Sequence, residues 1–212
     1  YRFIGYDSYG RATTDRVQAN GQEFSLTQTS YDAVGRVDCI ATRMNPANYN
    51  ALPSSACSQG IQGNYGPDRI TKHIWEYAGA LDRTISAVGT PEERTDAAYT
   101  RDRNGQLRTA TDANGNTTAY SYDGHSRLIR TCYNANVSAC DGNTAPDKFH
   151  YVYGSTGNGK GRIIAQGLRG HSQAIVTQYT YDSLGRVTNV DYPGSGFFDQ
   201  DISYRYDNLG RM

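Results

Sequence analysis

The stretch Thr111-Asp112-Ala113-Asn114-Gly115-Asn116-Thr117-Thr118-Ala119-Tyr120-Ser121-Tyr122-Asp123-Gly124-His125-Ser126-Arg127-Leu128 decides the fold. It carries turn chemistry near both ends. Asp favours the first position of a type I turn, where its carboxylate accepts a nearby backbone N–H. Gly three residues later supplies the positive φ that closes a hairpin on a bulge. Between the turns lies a run rich in Thr and Tyr, the composition of a strand, with Tyr120 and Tyr122 on one face. Asp102-Arg103-Asn104-Gly105 supplies one more turn upstream, so turns start at Asp102, Asp112 and Asp123, 10 and 11 residues apart. That leaves strands of roughly six or seven residues, a normal length. Consecutive tight turns make an antiparallel meander. No segment of comparable length carries a 3.6-residue period, so almost no helix is expected.

Working outward, one phrase recurs along the chain. It reads Tyr6-Asp7-Ser8-Tyr9-Gly10-Arg11, Tyr31-Asp32-Ala33-Val34-Gly35-Arg36, Tyr181-Asp182-Ser183-Leu184-Gly185-Arg186 and Tyr206-Asp207-Asn208-Leu209-Gly210-Arg211. Tyr122 to Arg127 is a copy with Ser126 in place of Gly, and Arg101 to Gln106 is a copy with its Tyr displaced to Tyr99. The Asp positions step by 25, 70, 21, 59 and 25 residues, and each long step hides a decayed copy, around Trp75-Glu76-Tyr77 and Tyr151-Val152-Tyr153-Gly154. A unit of about 20–30 residues is too short for a domain and suits one or two hairpins. Pairs such as Tyr120/Tyr122, Tyr179/Tyr181 and Tyr204/Tyr206 place two rings on one strand face. Tight turns are expected at Asp102–Gly105, Asp112–Gly115, Asp182–Gly185 and Asp207–Gly210, with Gly115 and Gly185 at positive φ.

Composition agrees with a thin β-structure. Leu, Ile, Val and Phe make only 33 of 212 residues, yet there are 18 Tyr and 23 Gly, and the net charge is zero. Disorder brings few aromatics and a large charge excess, so the chain reads as a sheet held by Tyr ladders. Balanced charge argues against a nucleic-acid or membrane-surface binder. No window approaches the ~18 apolar residues of a membrane span.

The string Thr111 to Asp123, with Arg127-Leu128 after it, resembles a near-consensus YD repeat. That family includes bacterial Rhs proteins, shell-forming subunits of insecticidal toxin complexes, and teneurin adhesion receptors. The resemblance implies an all-β fold in which repeated antiparallel hairpins form a curved meander sheet, part of a hollow shell. It implies a structural role as the wall of a secreted or cell-surface protein, enclosing or displaying a C-terminal toxin or mediating cell contact. The implied partner is the remainder of the same repeat array, with an enclosed toxin domain or a surface glycan as further candidates. Residues 1–212 read as one continuous segment of such an array, cut at both ends, with insertions at 39–69 and 132–150. Family members often carry a terminal segment with autoproteolytic Asp residues and an Asp-Pro-x-Gly-like ending. None of the six Pro here follows an Asp, so no protease residue is carried over. No enzyme activity and no cofactor are expected.

Cys39 and Cys57 bracket the first half of one excursion, and Cys132 and Cys140 bracket the loop Tyr133–Ala139. Four cysteines allow three pairings, of which closing each loop on itself is the simplest. Disulfides would place the chain outside a reducing cytosol, and four partly buried free thiols are the alternative. Zinc lacks its Cys-x-x-Cys or His-x₃₋₅-His spacing.

Other constellations imitate chemistry. Gly154 to Gly161 nearly spells a phosphate-binding loop, but Gly161 stands where Ser or Thr must hold Mg²⁺ and a strand follows instead of a helix. His73, His125, His150 and His171 are scattered, and His beside Ser, as at His125-Ser126 and His171-Ser172, points to opposite strand faces. Glu92-Glu93 and Asp199/Asp201 read as exposed loop charges. Asn116-Thr117-Thr118 and Asn136-Val137-Ser138 match the glycosylation pattern of eukaryotic secretion. The repeated Tyr rings carry two readings, cross-strand ladder pairs or platforms for carbohydrate rings.

Overall fold

In the computed structural model the described residues are 1–170, 173–192 and 201–212. Among the described residues fifteen strands lie in the sheet in the order of the sequence, and they pair antiparallel. The expected meander is therefore the observed one. The chain divides into two compact units, Tyr1–Tyr99 with Thr111–Gly115, and Thr100–Ala110 with Asn116–Met212.

The first unit holds β1 (Arg2–Tyr6), β2 (Ala12–Ala19), β3 (Gln22–Tyr31), β4 (Val37–Arg43), β5 (Arg69–Trp75), β6 (Leu81–Ser86) and most of β7 (Arg94–Arg101). Asn20 (φ 51°) and Gly21 (φ 75°) make the two-residue turn between β2 and β3, with the left-handed pair of a type I′ hairpin. Burial along β4 alternates with period two, hiding Cys39, Ala41 and Arg43 and exposing Ile40 and Thr42. The connection from 44 to 68 covers that hidden side, packing Ala56 and Cys57 on Cys39, Ala41 and Ile70.

The second unit holds most of β8 (Leu107–Asp112), then β9 (Thr117–Tyr122), β10 (Leu128–Tyr133), β11 (Lys148–Tyr153), β12 (Ile163–Gly170), β13 (Gln173–Tyr181), β14 (Val187–Asp191) and β15 (Ile202–Ser203). Where the sequence reads as a plain loop after Tyr133, one helical turn forms, α1 (Val137–Asp141). Asn136 caps it by accepting the Ala139 N–H at 2.8 Å, and burial of Cys140 against Ala119 and Cys132 holds it down. A five-residue helix would not stand alone; its packing supports it.

Both cores are small. Leu26, Ile70 and the cysteines Cys39, Cys132 and Cys140 are the largest fully buried side chains among the described residues. Among the described residues no helix is long and apolar enough to cross a membrane.

Candidate functional site

The repeat phrase builds the same clasp at each copy. In the Asp7, Asp32, Asp123, Asp182 and Asp207 turns, one carboxylate oxygen accepts backbone N–H groups two and four residues on, at 2.9–3.0 Å. The other accepts Nε of Arg11, Arg36, Arg127, Arg186 or Arg211 at 2.7–2.8 Å. The turn itself closes through a bond such as Gly10 N–H to the Asp7 carbonyl at 3.0 Å. Gly10, Gly35, Gly105, Gly115, Gly185 and Gly210 all have φ between 76° and 90°, and Ser126 takes the same left-handed geometry at 65°. The strand register shifts beside the Asp7, Asp32, Asp123 and Asp182 clasps, as between Ser30 and Tyr31 next to Asp32.

Those bonds depress the carboxyls. The Arg127 guanidinium and then its backbone N–H hold Asp123 down to about 2. For Asp182 and Asp207 the following Arg backbone N–H is the leading cause of a lowered value. At Asp7 and Asp32 partial desolvation pushes upward, but the hydrogen bonds from Arg11 and Arg36 prevail and the net direction is down.

Four of these five clasps also grip the next repeat. The Arg11 guanidinium stacks over the Tyr31 ring at 4.5 Å, Arg127 over Tyr153 at 4.2 Å, and Arg186 over Tyr206 at 4.3 Å. The same Tyr donates its hydroxyl back to the carbonyl of the residue after that Arg. Tyr31 reaches Ala12, Tyr153 reaches Leu128, Tyr181 reaches Ile163 and Tyr206 reaches Val187, at 2.6–3.2 Å. Tyr122 does so to Leu107 at 3.0 Å, where Gln106 replaces Arg.

The decayed copies keep this grip with other atoms. Trp75 lies under Arg36 at 5.5 Å and its indole N–H donates to the Val37 carbonyl at 2.8 Å. At Tyr153 the turn has expanded to residues 154–162, yet Arg162 still stacks on Tyr181. The Gly-rich 154–161 segment is thus an enlarged hairpin turn, with Gly161 N–H bonded to the Gly154 carbonyl at 2.9 Å and strand β12 following.

Tyr6 is exposed, Tyr179 accepts from Gln166 Nε2 at 2.8 Å, and Tyr120 and Tyr204 are half-buried. Asp102 and Asp112 accept turn N–H groups, and Asp112 lies at the opposite strand end from the clasps, between β8 and β9. Sequence reasoning missed the grip of Arg on the next Tyr, because the partners lie 19 or more residues apart. It also passed over Asn20-Gly21, although that dipeptide is a strong hairpin signal.

The opposite strand ends carry the two disulfide-closed connections. Cys39–Cys57 and Cys132–Cys140 are disulfides, with Cα separations of 5.2 and 5.7 Å. Buried Arg43 anchors the 44–68 connection, donating to Asp68 Oδ2 at 2.6 Å, to Gln28 Oε1 at 2.6 Å, and to the Ser58 and Ser55 carbonyls. Asp68 further accepts Met44 and Gly60 N–H groups. Burial alone would raise its pKa, but these donors hold it below the ordinary value.

Among the described residues the catalytic look-alikes do not converge. His73 stacks on Trp75, His125 sits at a turn tip and His150 lies opposite Arg130 on β11. Glu93 accepts the Gly89 N–H. His171, Ser172 and Asp199 lie outside the described residues. Among the described residues, the group spaced to consider for a metal is Asp38 with Cys39 and Cys57, and those two sulfurs are bonded to each other.

The RHS repeat family matches residues 101–132. No curated protein sequence matches. Among solved structures, the chain is similar to the crystal structure of TcdB2-TccC3 without hypervariable C-terminal region, with a TM-score of 0.59 at 17% identity over 95% of this chain and 10% of that one. Further likenesses are to TcdB2-TccC3 (TM-score 0.46, 19% identity, 86% of this chain and 11% of that one) and to a Photorhabdus luminescens Tc holotoxin pore (0.46, 16%, 88% and 10%). At these identities the likeness is one of fold, and the first carries it. The chain spans about a tenth of the length of the chains it matches.

Proposed function

We propose that this chain, whose hairpins are repeats of the RHS/YD type, is a structural wall segment of a secreted or surface-displayed protein. The wall encloses or presents a C-terminal passenger, or makes contact with another cell. One observation carries this reading: the side chains that recur are spent on holding hairpins to hairpins. Asp closes the turn, Arg joins that Asp to the next ring, and Tyr returns a bond to the previous hairpin. A recurring motif kept for binding or catalysis would leave its polar atoms free for a ligand. We assign this segment no reaction and no cofactor.

Two further facts support the reading. The fold is shared with a TcdB2-TccC3 structure described by its lack of a hypervariable C-terminal region, which suits a wall that is separate from what it carries. Two disulfides suit an oxidising compartment.

The test uses the parent polypeptide with a protease-cleavable reporter placed C-terminal to the wall. The intact protein should protect the reporter, and Arg127→Ala combined with Arg186→Ala should expose it. Equal cleavage in both proteins would overturn the reading. So would turnover of ester, phosphate or glycoside substrates that one side-chain change in this segment abolishes.

A further inference from the structure

The arginines of the first unit are almost all paired. Of the eight arginines in Tyr1–Tyr99, seven form ion pairs, and Arg69 has no carboxylate partner among the described residues. Glu92 likewise has no cationic partner among them, although its neighbour Glu93 is bonded to Gly89. These two uncommitted charges line one groove of about 440 Å³, between the 44–68 connection and the turn from β6 to β7. Tyr65, with 56% of its surface exposed, lines it as well, as do Ile70, Thr71 and Thr90.

The groove is built, not a gap between mobile loops. Its floor includes Asp68, fixed by Arg43, Met44 and Gly60. Gln59 ties the connection to the turn by donating to the Val88 carbonyl at 2.7 Å, and the Cys39–Cys57 disulfide pins the same connection to β4. Its size falls within the roughly 300–1,000 Å³ of small-ligand sites, and it combines an apolar lining with few polar groups, as such sites do.

The lining selects among ligand classes. An exposed aromatic ring offers an apolar face with a polar edge, matching a sugar ring that has C–H groups on one face and hydroxyls around it. Guanidinium and carboxylate can donate to and accept from those hydroxyls through charge-assisted bonds. Asp68 is neutralised by its pair with Arg43, so the unpaired charges of the lining are one positive and one negative, Arg69 and Glu92, which disfavours a strongly charged ligand. We propose that this groove binds a neutral pyranose residue, with Tyr65 against the ring and Arg69 and Glu92 on its hydroxyls. The site goes beyond the wall role, and an empty groove would leave that role standing.

The test is saturation-transfer NMR on the protein with methyl glucoside, methyl galactoside, methyl mannoside and N-acetylglucosamine, with glucuronate as the acidic comparison. At least one neutral sugar should bind. Tyr65→Ala and Glu92→Gln should each weaken it by about tenfold, the loss expected for one strong contact. Tyr9→Ala, at an exposed turn tip outside the groove, should leave binding unchanged. Circular dichroism checks that the variants fold, and Glu92→Gln carries the test alone if Tyr65→Ala does not. Binding by none of the neutral sugars, binding indifferent to both substitutions, or binding of glucuronate alone would overturn the proposal.

Discussion

At Asp123 one carboxylate takes up two backbone N–H groups and an Arg Nε, and three residues later Ser126 sits at φ 65°, where most other copies place glycine. A side chain in the left-handed region is strained, so Ser126→Gly should stabilise the protein by ~0.5–1 kcal/mol in urea unfolding. The reverse change separates backbone strain from packing. Gly105→Ala meets no atom within 4 Å and bears only its φ of 80°, a cost of about 1 kcal/mol. Gly185→Ala, at φ 76°, would also place a methyl 1.9 Å from the Arg162 guanidinium, so it should be the more damaging of the two. The clasp carboxyls make the fold acid-sensitive. Their folded pKa values lie below the unfolded value of 3.8, so their stabilisation is complete above that value and is lost as pH falls through the folded value, about 2 for Asp123. Asp7, Asp32, Asp182 and Asp207 shift in the same direction. Melting temperature should therefore hold steady down to about pH 4 and fall below it, and Asp123→Asn should flatten part of that fall.

Between elements, coupling runs from one hairpin to the next through Arg and Tyr. A double-mutant cycle of Arg127→Ala and Tyr153→Leu should show a coupling of ~0.5–1 kcal/mol, as for a cation over an aromatic face. Tyr153→Phe removes only the bond to the Leu128 carbonyl and should keep the coupling. Additive single changes would mean that the stack contributes nothing. The 44–68 connection depends on a different device. Arg43→Ala leaves Asp68, Gln28 and two carbonyls without their donor in a buried place and should cost about 3–5 kcal/mol in thermal or urea unfolding. The turns were legible in the sequence because Asp and Gly three apart is local chemistry. Arg43 was not, because its partners Gln28 and Asp68 lie 15 and 25 residues away and no short pattern joins them.

For the molecule as a whole, each hairpin touches mainly its sequence neighbours, so protection should vary along the chain instead of rising and falling as one block. Amide exchange should be slowest in β4 and β9, where Cys39, Ala41, Ala119 and Ser121 are buried beneath a long connection. It should be fastest in β1, whose residues are almost all exposed, and in the two-residue β15. Hydrogen-exchange mass spectrometry checks this, and uniform protection across these strands would contradict it.

The sequence by itself determined the all-β meander, the positive-φ glycines and the role of Asp in the turns. These follow from bonds within a few residues of one another, and local sterics give them nearly one solution. It also pointed to the self-closing cysteine pairs, because each pair flanks one excursion. Only the tertiary structure decided that Arg grips the following repeat, that Trp75 can stand in for Tyr, that Arg43 anchors the 44–68 connection, and that Arg69, Glu92 and Tyr65 share a groove. Those meetings depend on strand register and on how long connections fold back over the sheet, and contacts across tens of residues are set by packing, not by neighbouring side chains.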